Sequence, residues 1–246
     1  MDKKVVLVTG SSSGIGSSII EKFASNNYNV VINYNSNLEA ANKLKEKVEK
    51  LYNIEALCIK ANVSKDEDVL NMFNQIINKF GHIDVLVNNA GISNDSLLED
   101  KTKEDFMHLY EVNAYSVFLV SKIVGKYMKD NKCGSIVNIA STNGIDSYYL
   151  FSTDYDASKA AVININHNLA NYLSPYVRVN CVCPGWVNTP MNKQLDENFK
   201  SEEINKTLLH RFAEPNEIAN LVYFLSTDEA SYINDSIIKI DGGRKC

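Results

Sequence analysis

Lys4-Val5-Val6-Leu7-Val8-Thr9-Gly10-Ser11-Ser12-Ser13-Gly14-Ile15-Gly16 passes from a short apolar run into a glycine-rich turn and on into a helical pattern. A strand, a turn and a helix start in that order open a βαβ unit. There the backbone N–H groups and the positive end of the helix dipole face one point, which suits a pyrophosphate. Gly10 permits the sharp turn, Gly14 lets a ligand approach the backbone, and Gly16 allows close helix packing. Gly10, Ser12, Ser13, Gly14, Ile15 and Gly16 are therefore candidate dinucleotide-binding residues. The spacing is G-x-x-x-G-x-G, and the absence of a following Lys-Ser or Lys-Thr excludes a P-loop.

Outward from this turn, apolar strands alternate with amphipathic stretches to the end of the chain. Strands are expected at Lys4 to Thr9, Asn29 to Tyr34, Glu55 to Ala61, Asp84 to Asn88, Gly134 to Ala140, Val177 to Val182 and Ile237 to Ile240. Helices are expected near Gly14 to Asn26, Leu38 to Tyr52, Lys65 to Phe80, Lys103 to Lys129, Tyr155 to Leu173 and Pro215 to Leu225. This alternation predicts an α/β fold: a doubly wound, parallel, seven-stranded Rossmann-like sheet with helices on both faces. No internal repeat, low-complexity run or Pro/Gly-rich linker divides the chain, so residues 1–246 are expected to form a single dinucleotide-binding domain.

Composition narrows the function classes. The chain is 45% hydrophobic and 22% charged, ordinary for a globular protein. Its net charge of -5 comes from 30 acidic and 25 basic side chains scattered along the sequence, with no basic stripe for nucleic acid. The apolar run near Met1 is too short for a signal peptide, and no stretch approaches a membrane span. Five cysteines, Cys58, Cys133, Cys181, Cys183 and Cys246, are odd in number and lie in or beside strands or at the terminus, which argues against a disulfide framework and for the cytoplasm. Cys181-Val-Cys183 has the wrong spacing for a zinc knuckle, and no metal is expected.

Two segments bear on chemistry. At the end of the second strand, where a carboxylate would hold ribose hydroxyls and an Arg would welcome a 2′-phosphate, stand Asn33-Tyr34-Asn35-Ser36. With no repelling acid and several hydrogen-bonding groups, this pocket suits NADP(H) over NAD(H), which stays admissible. Tyr155 and Lys159, at i and i+4, share one helix face. An ammonium at ~4 Å in an effective dielectric of ~20 is worth at most roughly 4 kcal/mol, enough to bring a phenol of ordinary pKa ~10 towards general acid–base work. The alternative is a helix that happens to carry a core Tyr and a solvated Lys.

Taken in order, Thr9-Gly10-x-x-x-Gly14-Ile15-Gly16, Asn62-Val63, Asn88-Asn89-Ala90-Gly91, Asn113, Ser141, Tyr155-x-x-x-Lys159 and Pro184-Gly185 resemble the short-chain dehydrogenase/reductase family. The likeness continues through Arg211-Phe-Ala-Glu-Pro215-x-Glu217-Ile218-Ala219 to Asp241-Gly242-Gly243. Within the family the sequence is most similar to bacterial 3-oxoacyl-[acyl-carrier-protein] reductases and their sugar and steroid dehydrogenase relatives. The resemblance implies that Ser141 hydrogen-bonds the substrate oxygen, Tyr155 passes the proton, Lys159 holds the nicotinamide ribose and lowers the Tyr pKa, and Asn113 anchors a water. It implies that Asn62 meets the adenine amino group with Val63 beside it, that Asn88, Asn89, Ala90 and Gly91 line the cofactor trough at the fourth strand, and that Pro184, Gly185, Val187 and Thr189 close over the nicotinamide. The expected substrate is a small carbonyl or alcohol, free or carried by acyl carrier protein, and a 3-oxoacyl thioester leads. A sugar or steroid alcohol dehydrogenase is the enzymatic rival, and a non-catalytic dinucleotide sensor is the reading from another class.

Departures from the family pattern bear on specificity. Asn62 stands where relatives have Asp. The Ser141-to-Tyr155 interval is a residue longer and richer in aromatics. Of two positions where the carrier-bound reductases present Arg, Lys132 offers a cation while Ser174-Pro175-Tyr176 does not. The helices containing Phe106 to Met128 and Tyr155 to Tyr172 are apolar around more of their circumference than one sheet contact requires, so a homodimer or homotetramer is expected to cover them.

Overall fold

The computed structural model describes residues 3–146, 149–192 and 195–244. Its strands are β1 (Val5–Val8), β2 (Asn29–Tyr34), β3 (Ala56–Lys60), β4 (Val85–Asn88), β5 (Ser135–Ile139), β6 (Arg178–Pro184) and β7 (Ile237–Ile240). All pair in parallel, in the order β3-β2-β1-β4-β5-β6-β7. The order reverses between β1 and β4, and at that switch point the crevice beyond the strand ends is open to a ligand.

Successive strand residues face opposite layers. Val6, Val8, Val30, Ile32, Val85 and Val87 pack under α1 (Gly14–Ser25), α2 (Leu38–Leu51) and α8 (Pro215–Ser226). Val5, Leu7, Val31, Leu86 and Ile136 face α3 (Asp66–Phe80), α5 (Ser116–Asp130) and α6 (Thr153–Leu173). Burial on both faces explains why the strands are continuous Val/Ile/Leu runs. The motif from Arg211 to Ala219 caps α8: Pro215 takes the first turn, Glu214 and Glu217 form a reciprocal capping box, and Arg211 grips Glu217 with two hydrogen bonds of 2.6 and 2.7 Å.

Two elements differ from the sequence expectation. The helix anticipated over Lys103 to Lys129 is broken into α4 (Lys103–Tyr110) and α5 by a π-helical turn at Glu111–Tyr115. The break turns Asn113 wholly inward. A further helix, α7 (Glu197–Asn205), starts on an Asp196 cap in a segment too polar to show an apolar stripe. No helix among the described residues is long and apolar enough to cross a membrane, and none of their His, Cys, Asp and Glu side chains cluster to hold a metal. Cys181 and Cys183 are buried on β6 with their sulfurs 3.9 Å apart; Cys246 lies outside the described residues.

Candidate active site

A cleft of about 450 Å³ runs along the carboxyl rim of the sheet. Gly10, Ser13, Gly14, Ile15, Gly16, Asn33, Asn35, Asn62, Val63, Asn89, Ala90, Gly91, Pro184, Gly185, Val187 and Thr189 line it, together with Ser141, Tyr155 and Lys159. Ser12, Tyr34, Ser36 and Asn113 do not. Tyr34 belongs to the core below the rim, and Asn113 lies behind the cleft wall.

The glycine turn is built for close approach. Gly10 adopts φ +60, and a Cβ there would come within 2.8 Å of the Ala90 backbone, so β1 and β4 meet at a point only glycine allows. The first turn of α1 has no acidic residue, and its N-cap Ser13 makes no side-chain capping bond. The positive helix end therefore opens into the cleft without a carboxylate of its own, which fits the pyrophosphate of a dinucleotide. The Asn33 amide is spent inside the scaffold: its oxygen accepts the Gly10 N–H at 3.0 Å and its nitrogen donates to the Ala61 carbonyl at 3.1 Å. The Asn62 oxygen accepts both the N–H and the hydroxyl of Ser64, which leaves its NH₂ as the available group.

At the other end of the cleft stand Ser141, Tyr155 and Lys159. The Ser141 Oγ accepts the Asn143 N–H at 3.2 Å, and the Ser141 hydroxyl lies close enough to the Tyr155 phenol to lower its pKa. Burial pushes that phenol up to about 12, against the lowering effect of Ser141, and the charges of Asp156 and Asp95 raise it further. Lys159 does not acidify it as the helical spacing suggested. Its ammonium sits 5.5 Å from the centre of the Tyr155 ring, donates to the Ile139 carbonyl at 3.0 Å, and is itself pulled down to about 8 by burial. Desolvation thus dominates both groups. The Asn113 amide clasps Ile92, accepting its N–H at 2.8 Å and donating to its carbonyl at 2.9 Å, and donates to the Ser158 hydroxyl at 3.1 Å. A Cβ on Gly91 would stand 3.3 Å from the Asn113 oxygen and 3.5 Å from the Lys159 nitrogen, so the two groups approach Gly91, Asn113 from behind the cleft wall and Lys159 from within the cleft.

Trp186 and the carboxylates flanking Tyr155 were not singled out from the sequence, whereas Tyr149 belongs to the aromatic interval expected to border the substrate. The carboxylates on either side of Tyr155 each hold a wall. Asp156 accepts from Asn143 Nδ2 at 2.7 Å and Ser152 Oγ at 2.8 Å, and Asp154 pairs with Lys101. Acidic residues in the first turn of a helix look like ordinary dipole partners, so sequence alone gave no reason to single them out. Tyr149 and Trp186 line the cleft and meet edge-on, with ring centres 6.3 Å apart. Ser147 and Tyr148 of the aromatic-rich interval lie outside the described residues.

A family model described as enoyl-(acyl carrier protein) reductase matches residues 10–245. The chain is 36% identical to the 3-oxoacyl-[acyl-carrier-protein] reductase FabG of Thermotoga maritima over 99% of its own length and 98% of that protein. It is 36% identical to the FabG of Staphylococcus epidermidis (98% of each chain) and 37% identical to that of Aquifex aeolicus (98% and 96%). The chain belongs to the short-chain dehydrogenase/reductase family. A short-chain reductase needs a dinucleotide cradle continuous with a Tyr, a Ser and a Lys, and the described cleft joins those groups in one space.

Proposed function

We propose that the protein reduces the keto group of a 3-oxoacyl thioester with NADPH, Tyr155 giving the proton. The observation that carries this reading is that Tyr155, Ser141 and Lys159 meet at one end of the same cleft that the glycine turn lines. Reduction is the direction that needs a proton donor, and a phenol is protonated at neutral pH.

The nicotinamide cofactor supplies the hydride when bound. The rest falls to the chain. The α1 N-terminus and the Gly10–Gly16 turn hold the pyrophosphate, and the Asn62 NH₂ meets a ring-nitrogen acceptor of the adenine. Asn35 and Ser13 are the cleft-lining groups left to receive a 2′-phosphate, because Asn33 and Tyr34 are committed to the scaffold and Ser36 lies outside the lining. Lys159, with no carboxylate partner among the described residues, offers its ammonium to the ribose hydroxyls. Ser141 donates to the carbonyl oxygen as negative charge grows there, and Tyr155 delivers its proton to that oxygen. Asn113 positions a water beside Lys159. Tyr149, Trp186, Met191 and Leu195 give the acyl chain an apolar wall.

The relatives are named for carrier-bound substrates, and the surface of this chain supports such a partner. Lys129 lies 4.1 Å from the Tyr172 ring centre and Lys132 lies 5.8 Å from that of Tyr176, so a cation from the end of α5 covers the position that itself lacks one. Phe118, 43% exposed, lies on one of the helices expected to meet another copy in a homodimer or homotetramer. The test is oxidation of NADPH and of NADH, followed separately with acetoacetyl thioester, cyclic ketones and aldoses. NADPH with the thioester is expected to lead by at least about tenfold in kcat/KM. Turnover of sugars or steroids without the thioester contradicts the substrate assignment.

A further inference from the structure

Lys101 and Asp154 form an ion pair of 2.8 Å whose side chains are almost wholly removed from solvent, at 6% and 0% exposed. Lys101 ends the segment that leaves β4 across the cleft, immediately before the Thr102 cap of α4. Asp154 is in the first turn of α6 and precedes Tyr155. One carboxylate oxygen gathers the contacts: Asp154 Oδ1 accepts from Lys101 and also accepts the backbone N–H of Tyr155 at 3.0 Å. From the other side, Lys101 donates to the Asn94 carbonyl at 2.9 Å, next to Asp95 in the cleft wall. The Ser96 N–H donates to the Phe151 carbonyl at 3.1 Å and continues the seam.

As a stabilising device the pair is poor. Asp154 Oδ2 is buried and has no hydrogen-bond partner among the described residues. A buried carboxylate with one orphaned oxygen forfeits much of what the ion pair gains, and an apolar pair of similar volume is commonly as stable or more so. What the pair does provide is rigid geometry at the residue that moves the proton. We infer that Lys101 and Asp154 are positioning residues for Tyr155, clamping the wall that follows β4 onto the first turn of α6. This rests on the reading of Tyr155 as the acid. Without the clamp, the phenol and the Asn94–Asp95 wall lose their common anchor while the glycine cradle is untouched.

The test is the double variant Lys101→Met/Asp154→Leu, read by thermal unfolding, NADPH affinity from cofactor fluorescence, and kcat and KM for acetoacetyl thioester. The expected result is a Tm no lower than the parent's, NADPH affinity within about twofold, and kcat down at least about tenfold with KM nearly unchanged. A folded double variant with parental kcat overturns the inference, and so does a parallel loss of kcat and NADPH affinity. Should the double variant not fold, Asp154→Asn decides: it keeps an acceptor for the Tyr155 N–H but removes the charge that holds Lys101. A kcat loss of at least about fivefold supports the clamp and a parental kcat refutes it. Tyr155→Phe measured alongside separates the two readings. Activity in that variant sinks the acid assignment itself, whereas an inert Tyr155→Phe with an unimpaired double variant sinks the clamp alone.

Discussion

Lys159 is a residue at which chemistry and stability oppose each other. Burial lowers its pKa from 10.5 to about 8, so between those values the unfolded chain binds a proton that the folded chain does not. Native stability therefore rises with pH across that window, and below pH 8 the buried ammonium costs on the order of 3 kcal/mol. Lys159→Met is expected to be inactive yet more stable at pH 7 by about 2 kcal/mol, after allowing for the lost bond to the Ile139 carbonyl. Its advantage should fade as pH rises towards 10.5. Urea unfolding of both proteins at pH 7 and pH 10 checks this, and a Met variant less stable at pH 7 contradicts it. The same residue shows what a sequence leaves out. The i, i+4 spacing put Tyr155 and Lys159 on one face, as the structure has them, but the depth of burial that governs both pKa values depends on packing by β5, β6 and the segment after Ser141.

At the scale of the element, the turn Thr142–Gly144 sets the distance between Ser141 and Tyr155. A Cβ on Gly144 would lie 2.6 Å from the Lys159 carbonyl carbon and 2.8 Å from the Ala160 nitrogen, both backbone atoms of α6. Gly144→Ala is expected to lift the turn off the helix and lower kcat by about 100-fold, with NADPH affinity changed less than about threefold. Steady-state kinetics with a cofactor titration measures both, and a parental kcat refutes the packing argument. Strands were legible because burial on two faces leaves an uninterrupted apolar signature, and the glycine turn because its chemistry is local. The break between α4 and α5 was not, because Glu111–Tyr115 keeps helical periodicity and one inserted residue per turn leaves no compositional mark. Helix α7 was missed for want of an apolar stripe. Lys101 and Asp154 became a pair only once the topology brought together residues far apart in the chain.

For the molecule as a whole, the sheet order brings Gly10, Asn89 and Tyr155 to one rim and leaves Lys129, Lys132, Tyr172 and Tyr176 on the surface. Paired cations over aromatic rings suit an acidic carrier, and charge complementarity acts on encounter more than on chemistry. Lys129→Glu/Lys132→Glu is expected to raise KM for a carrier-bound 3-oxoacyl substrate at least about tenfold and to leave a small acetoacetyl thioester unaffected. Equal effects on both substrates, or on neither, would remove this surface from the docking account. The most direct test of the central claim is pre-steady-state oxidation of NADPH by Tyr155→Phe in the presence of acetoacetyl thioester. The account predicts parental NADPH affinity with hydride transfer slowed by at least about 100-fold; transfer near the parental rate would show that the phenol is not the acid.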